Sequence, residues 1–201
     1  MDYHFRKAQN SEEFKGIIAL QQANLLQNLS LETIQKEGFV RVCHSLEDLT
    51  KLNEFEEQLI AIQDNEVIAY ILAMPPGSRT SIPMLLPMFE QFDQIDWKGQ
   101  KISSYSYLAI GQVCVAKEFR SQGLFANAYA AYKELFSKKY DFAITEISKK
   151  NLRSLSAHKK IGFQTIHTFQ DEYEEWEIVL WDWKNSWYSI FNALISYIQI
   201  Q

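Results

Sequence analysis

One stretch limits the possible folds of this chain more than any other. Residues 104–116 read "SYSYLAIGQVCVA", residues 118–125 read "EFRSQGLF", and an alanine-rich run, "ANAYAAYKELF", follows directly. The apolar, β-branched end of the first segment predicts a strand buried on both faces. The run behind Gly123 predicts a helix from Leu124 to about Lys138. A buried strand that turns through a glycine loop into a buried helix needs a sheet with helices packed on it.

The rest of the chain agrees with that layering. "DYHFRKAQ" (2–9) predicts a first strand, and a helix follows with Ser11 as its cap and Glu12 and Glu13 in its first turn. "SLETIQKEGF" predicts a helix capped by Ser30 and stopped by Gly38, and "SLEDLTKLNE" a shorter one. "QLIAIQDNEVIAYILAM" predicts a hairpin about Asp64-Asn65, ended by Pro75, Pro76 and Gly77. Residues 78–100 read as an irregular insertion with a helical stretch. Beyond residue 140 come a strand (141–148), a helix ("NLRSLSAHKKIG"), strands "FQTIHTF" and "YEEWEIVLWDW", and a last helix from residue 184 to 201. The fold class expected is α/β (α+β): a mixed, mostly antiparallel twisted sheet of six or seven strands flanked by helices, in one domain over residues 1–201.

Composition excludes several functions. Two cysteines, Cys43 and Cys114, make neither a disulfide framework nor a metal-ligand pair, and a reducing, cytoplasmic setting is the simplest expectation. Cys114 sits in an apolar strand and reads as an inert buried thiol. His4, His44 and His167 fall into no nucleophilic or metal arrangement, so no metal is expected. A net charge of -5 with no basic stripe gives no reason to expect nucleic acid. No run of about 18 apolar residues predicts a membrane span. The apolar stripe of the last helix, from Trp187 to Ile198, packs on its own domain or joins two copies, so a monomer or a homodimer is expected.

The glycine turn has a physical use. The first backbone N–H groups of a helix lack partners within it, and the macrodipole adds roughly half a positive charge there. An anion such as a pyrophosphate satisfies both. Gly123 allows a positive φ or a close approach, and Arg120 and Ser121 add side-chain donors. The alternative is that Gly123 only turns the chain and Arg120 is a solvated surface residue. Neither a dinucleotide fingerprint nor a P-loop is present.

A second stretch, "TEISKKNLRSLSAHKKIGF" (145–163), resolves this ambiguity. Together the two segments resemble the Gcn5-related N-acetyltransferase (GNAT) superfamily. That family has an R/Q-x-x-G-x-G/A loop after a strand and, downstream, a strand acid, a helix-capping Asn and a Tyr-x-Lys-x-Gly-Phe ending. Here Arg120-Ser121-Gln122-Gly123 match the loop, and Glu146-Ile147, Asn151, Ser154, His158, Lys160 and Gly162-Phe163 match the second motif. The match covers about residues 105–183, and the first hundred residues follow the family plan in outline only. Two departures stand out: Phe125 where Gly or Ala is usual, and His158 where Tyr is usual.

The resemblance implies an acetyl-CoA-dependent N-acetyltransferase that moves an acetyl group to a primary amine by direct attack in a ternary complex. It implies that backbone groups of Ser121, Gln122, Gly123, Leu124, Phe125 and Ala126 hold the pyrophosphate. The pantetheine arm would pair with the strand at Val113, Cys114 and Val115, with a donor near Val115 for the thioester oxygen. Asn151 would cap its helix and touch the arm near Ser154. Glu146 would be the base, its pKa raised by apolar neighbours, and His158 would replace the usual Tyr as general acid. A structural Glu146 and a merely packed His158 are the alternatives, and a non-catalytic acyl-CoA-binding domain is the rival function. Residues 20–60 and 75–105 would shape the acceptor site. Glu172, Glu174 and Glu175 would form a solvated hairpin turn or receive a cationic amine.

Overall fold

The computed structural model describes residues 2–80 and 82–184, so the expected C-terminal helix lies outside the described residues. The main sheet has seven strands: β1 (His4–Lys7), β2 (Leu59–Gln63), β3 (Glu66–Met74), β4 (Tyr107–Val115), β5 (Phe142–Ser148), β6 (Gln164–Gln170) and β7 (Glu175–Asp182). Their order across the sheet is β1-β2-β3-β4-β5-β7-β6. Every pairing is antiparallel except β4 with β5. The helices are α1 (Ser11–Asn24), α2 (Leu31–Glu37), α3 (Leu46–Phe55), α4 (Leu86–Gln94), α5 (Leu124–Phe136) and α6 (Leu152–Ile161). A separate two-residue ribbon pairs Asp96–Trp97 with Gln100–Lys101.

The period-2 geometry of strands divides the core into two layers. On β3, Tyr70, Leu72 and Met74 join Phe14, Leu52 and Phe92 from α1, α3 and α4. The intervening Ile71 and Ala73 join Tyr129, Tyr132 and Leu155 from α5 and α6 on the other face. The β2–β3 hairpin turns at Asp64 and Asn65, both at positive φ (50° and 66°), the two-residue turn that suits strand twist.

Local boundaries correct the sequence reading in small ways. The first strand is shorter, because only His4–Lys7 pair with β2. The cap of α1 is Asn10, not Ser11: its side chain accepts from the Glu13 N–H at 3.1 Å. Ser30 caps α2 and Asn151 caps α6 as the sequence suggests.

Two irregularities of β4 open the sheet. Ile71 pairs with Val113 and Ala73 with Ile110, so three residue steps on β4 oppose two on β3, a β-bulge at Gly111-Gln112. Gly111 leaves room there for the Met74 side chain, whose Cε would lie 2.2 Å from a Cβ at this position. On its other side, β4 pairs with β5 only from Tyr107↔Phe142 to Ala109↔Ile144, and then the two parallel strands part. At the fork the Thr145 hydroxyl donates to the Ile110 carbonyl at 2.8 Å, replacing a ladder bond.

Candidate active site

Two cavities meet at this fork. One, of about 580 Å³, lies between the residue 120–126 turn and α6. The other, of about 210 Å³, passes through the gap between β4 and β5 and is lined by Glu146, Thr145, Gln112, His158 and Trp176 among others. Asn151 and Ser154 line both.

The larger cavity holds the anion cradle. Gly123 is the N-cap of α5, at φ 85°, and no side chain caps this helix. The Asn127 N–H is the first to bond back, to the Gly123 carbonyl at 3.0 Å, so the N–H groups of Leu124, Phe125 and Ala126 have no partner in the helix. Ser121 is also at positive φ (60°), which curls the turn. A Cβ on Gly123 would meet nothing within 4 Å, so the open space above the turn is free for a ligand. These features fit a phosphate group on the backbone donors.

The side chains of the turn are arranged differently from the expectation. Arg120 lines the larger cavity, but its guanidinium is already engaged. It is tied to Glu37 at 2.9 Å, to the Asn24 amide oxygen, and through Nε to the Val115 carbonyl at 3.0 Å. The pairing holds the Glu37 carboxyl below its usual range. Gln122 donates to the Glu118 carbonyl at 2.6 Å and steadies the turn. Leu124 is buried in the core, so only its backbone faces the cradle. Phe125 turns its ring inward onto Tyr129 and His158, with centroids at 4.9 and 5.3 Å. Ala126 stands exposed beside the turn, so the bulky residue leaves the phosphate space open.

Cations reach the cavity from α6 instead. Arg153 lies beside Ser121, 3.4 Å from its hydroxyl, and Lys160 lines the same wall with no ion-pair partner among the described residues. Arg153 was missed from sequence, although it shares a face of α6 with Lys160, seven residues on.

The β4 backbone supplies further donors. The Ala116 N–H bonds to the Ile68 carbonyl at 2.8 Å, which fixes the antiparallel alternation. Cys114 opposite Tyr70 is then the next bonded pair, and Val113 and Val115 turn their N–H and C=O groups away from β3, towards the gap. Cys114 lines the larger cavity, but its backbone N–H and C=O face β3 rather than the gap. Its thiol is buried, with a pKa pushed up to about 11.

Glu146 projects into the gap from β5, on the face it shares with Phe142 and Ile144. Its carboxylate has no hydrogen-bond or ion-pair partner among the described residues. Burial, and then the nearby charge of Asp171, raise its pKa to about 7. Asp171 itself is held low by the N–H groups of Glu174 and Tyr173.

At His158 the geometry favours the packing alternative over the general acid. Its Nδ1 lies 2.8 Å from the Ser154 carbonyl, which can only accept, so Nδ1 carries the proton. Its Nε2 accepts from the Tyr129 hydroxyl at 2.7 Å. The ring is 1% exposed, and burial lowers its pKa to about 4. A neutral imidazole with both nitrogens engaged suits the packed role that the sequence also allowed. Asn151 does more than cap α6: its amide donates to the Phe39 carbonyl at 3.0 Å, tying the helix to the 38–43 loop.

The rim over the gap comes from opposite ends of the chain. Arg41 pairs with Glu174, whose carboxylate also takes the Ser148 hydroxyl, and the Arg41 guanidinium lies 5.3 Å from the Phe39 and Trp176 rings. Glu174 is 5% exposed, so the solvated-turn reading fails for it. Glu174 stood out in the sequence only as one acid of a turn and Arg41 not at all, because nothing in either segment points to the other.

A sheet forked beside a helix N-terminal anion cradle, with a lone acid in the fork, defines the class of acyl-CoA N-acyltransferase folds. Residues 25–163 match the family model of the acetyltransferase (GNAT) family. The chain belongs to that family and is an acyltransferase. Its fold is similar to that of a GNAT-family acetyltransferase from Streptococcus agalactiae (TM-score 0.60, 14% identity, 90% of this chain and 95% of that one). It is also similar to Arabidopsis thaliana Naa50 in complex with a bisubstrate analogue (TM-score 0.59, 12% identity, 90% and 99%). A third likeness is the ribosomal-protein-S18-alanine N-acetyltransferase of Escherichia coli (TM-score 0.57, 9% identity, 92% and 99%). A search of the curated proteins finds no significant match. No helix among the described residues is long and apolar enough to cross a membrane.

Proposed function

We propose that this protein binds acetyl-CoA in the cradle and fork and transfers the acetyl group to the nitrogen of a primary amine, with Glu146 as the base. The observation that carries this reading is the unpartnered Glu146 carboxylate in the fork, at the junction with the phosphate cradle. When bound, acetyl-CoA supplies an activated acyl carbon: the C–N bond forms there as the C–S bond breaks, and the thiolate leaves with a proton shed by the attacking nitrogen.

The chain's own groups do the rest. The N–H groups of Leu124 to Ala126 and the positive end of α5 hold phosphate, with Arg153 and Lys160 adding charge. The N–H groups turned out by Val113 and Val115 align an extended arm in the manner of an added strand. One of these outward N–H groups would serve a developing oxyanion; Val113 lines both cavities and Val115 the larger one. An ammonium must lose a proton before it can attack, and Glu146, poised near 7, takes it at neutral pH. His158 and Tyr129 form the wall behind the fork.

Two measurements test this reading. Acetyl-CoA should raise the melting temperature, and CoA thiol should be released when a panel of amines is added. Absence of both effects would refute it.

A further inference from the structure

We infer that the acceptor pocket selects a primary amine on an apolar body that carries neither a carboxylate nor a second cation, because Glu174 neutralises Arg41, the one cation in the pocket wall among the described residues. This inference rests on the reading of Glu146 as the base for an amine.

Polar partners in this pocket are almost all taken. Gln112 accepts from the Tyr70 hydroxyl and donates to the Val42 carbonyl at 2.9 Å. Thr145 is bonded to the Ile110 carbonyl and Ser148 to Glu174. Asn151 is held between the Phe39 carbonyl and the Ser154 N–H. Arg41 pairs with Glu174, a residue nearly closed to solvent. Among the described residues, this leaves Glu146 as the one charged group in the wall without a partner, and it is negative. The remaining wall is apolar, from Phe39, Val40 and Val42 on one side, Met84 and Met88 on the other, and Trp176 at the end.

These facts set what can enter. Among the described residues, a substrate carboxylate would meet no cation free of a partner and would face Glu146, so it would be desolvated without a partner. A second ammonium would find apolar side chains once the first had reached Glu146. An apolar body fits the wall and brings its single nitrogen to the fork.

The probes are leucinamide, leucine and spermidine. Leucine and leucinamide have the same side chain and differ in the carboxylate. CoA release should favour leucinamide over leucine by on the order of 100-fold in kcat/KM, with spermidine also poor. Calorimetric titration of leucinamide and leucine into the protein with CoA present should show the same order, and this reading does not depend on turnover.

Glu174→Gln removes the charge that neutralises Arg41 and should raise the leucine-to-leucinamide ratio about tenfold. If that variant melts without a cooperative transition, the double variant Arg41→Gln/Glu174→Gln takes its place. It keeps the pair neutral and should keep the preference for leucinamide. Leucine or spermidine bound and used within threefold of leucinamide by the native protein would overturn the inference, as would an unchanged ratio in Glu174→Gln or a lost preference in the double variant. No release from any amine and no stabilisation by acetyl-CoA would instead overturn the proposed activity.

Discussion

Replacing Glu146 with Gln should make the protein more stable and less active, and the gain in stability should depend on pH. The carboxyl has an ordinary pKa of 4.5 and is raised to about 7 in the fold. At about 1.4 kcal/mol per tenfold, ionising it in the folded state costs about 3 kcal/mol relative to the unfolded chain. The sign follows from linkage. Below pH 4.5 the acid is protonated in both states and costs nothing. Between 4.5 and 7 the unfolded chain releases the proton and the folded one keeps it, so stability falls as pH rises. Above 7 the full penalty remains.

Gln keeps the shape and carries no charge. Parallel denaturant unfolding of the native protein and Glu146→Gln should therefore agree near pH 4.5. At pH 8 the variant should be more stable by about 2–3 kcal/mol, or about 4–12 °C in Tm. Turnover of the variant should drop by about 100-fold or more, and the native rise in kcat/KM through pH 7 should vanish. A stability difference independent of pH, or a variant less stable at pH 8, would refute the claim that Glu146 is held unpaired in a poorly solvated fork.

Gly123→Ala forces a left-handed Cβ into the turn at a cost of about 1–2 kcal/mol and should weaken CoA binding about tenfold by calorimetry; unchanged affinity would mean that nothing approaches that backbone. His158→Phe should cost about 1–3 kcal/mol of stability, because the Tyr129 hydroxyl loses its acceptor, yet reduce turnover less than tenfold. A hundredfold loss with an altered alkaline limb would restore the general-acid role. Lys160→Ala should weaken CoA binding severalfold, and the difference from native should shrink as salt is added; a salt-independent difference would point to packing.

The parts of the site legible in the sequence are those carried by the backbone over short spans. The glycine turn, the capping Asn151 and the alternation that places Glu146 among apolar neighbours each follow from a few contiguous residues. Side-chain destinations were not legible in the same way. Arg120 looked like a phosphate ligand because its position in the loop says nothing about Glu37 and Asn24, which reach it from the first quarter of the chain. His158 read either as a proton donor or as a packed ring, and only Tyr129 and the Ser154 carbonyl, which the fold brings to its two nitrogens, favour the second. Glu174 read as solvated because its partner stands far earlier in the chain. Long-range pairs of this kind have no local periodicity to betray them.

The Arg41–Glu174 pair also bears on the order of folding. The turn at residues 120–126 and α6 meet over a short loop, although Arg120 is also tied to Glu37 and Asn24 far earlier in the chain. The acceptor wall needs the 38–43 loop to meet the β6–β7 turn, which closes most of the chain into one loop and carries the larger entropic cost. The contact between the turn and α6 can therefore form before the acceptor half. In pulsed hydrogen exchange during refolding, amides of α5 should gain protection ahead of those at residues 39–43 and 171–176.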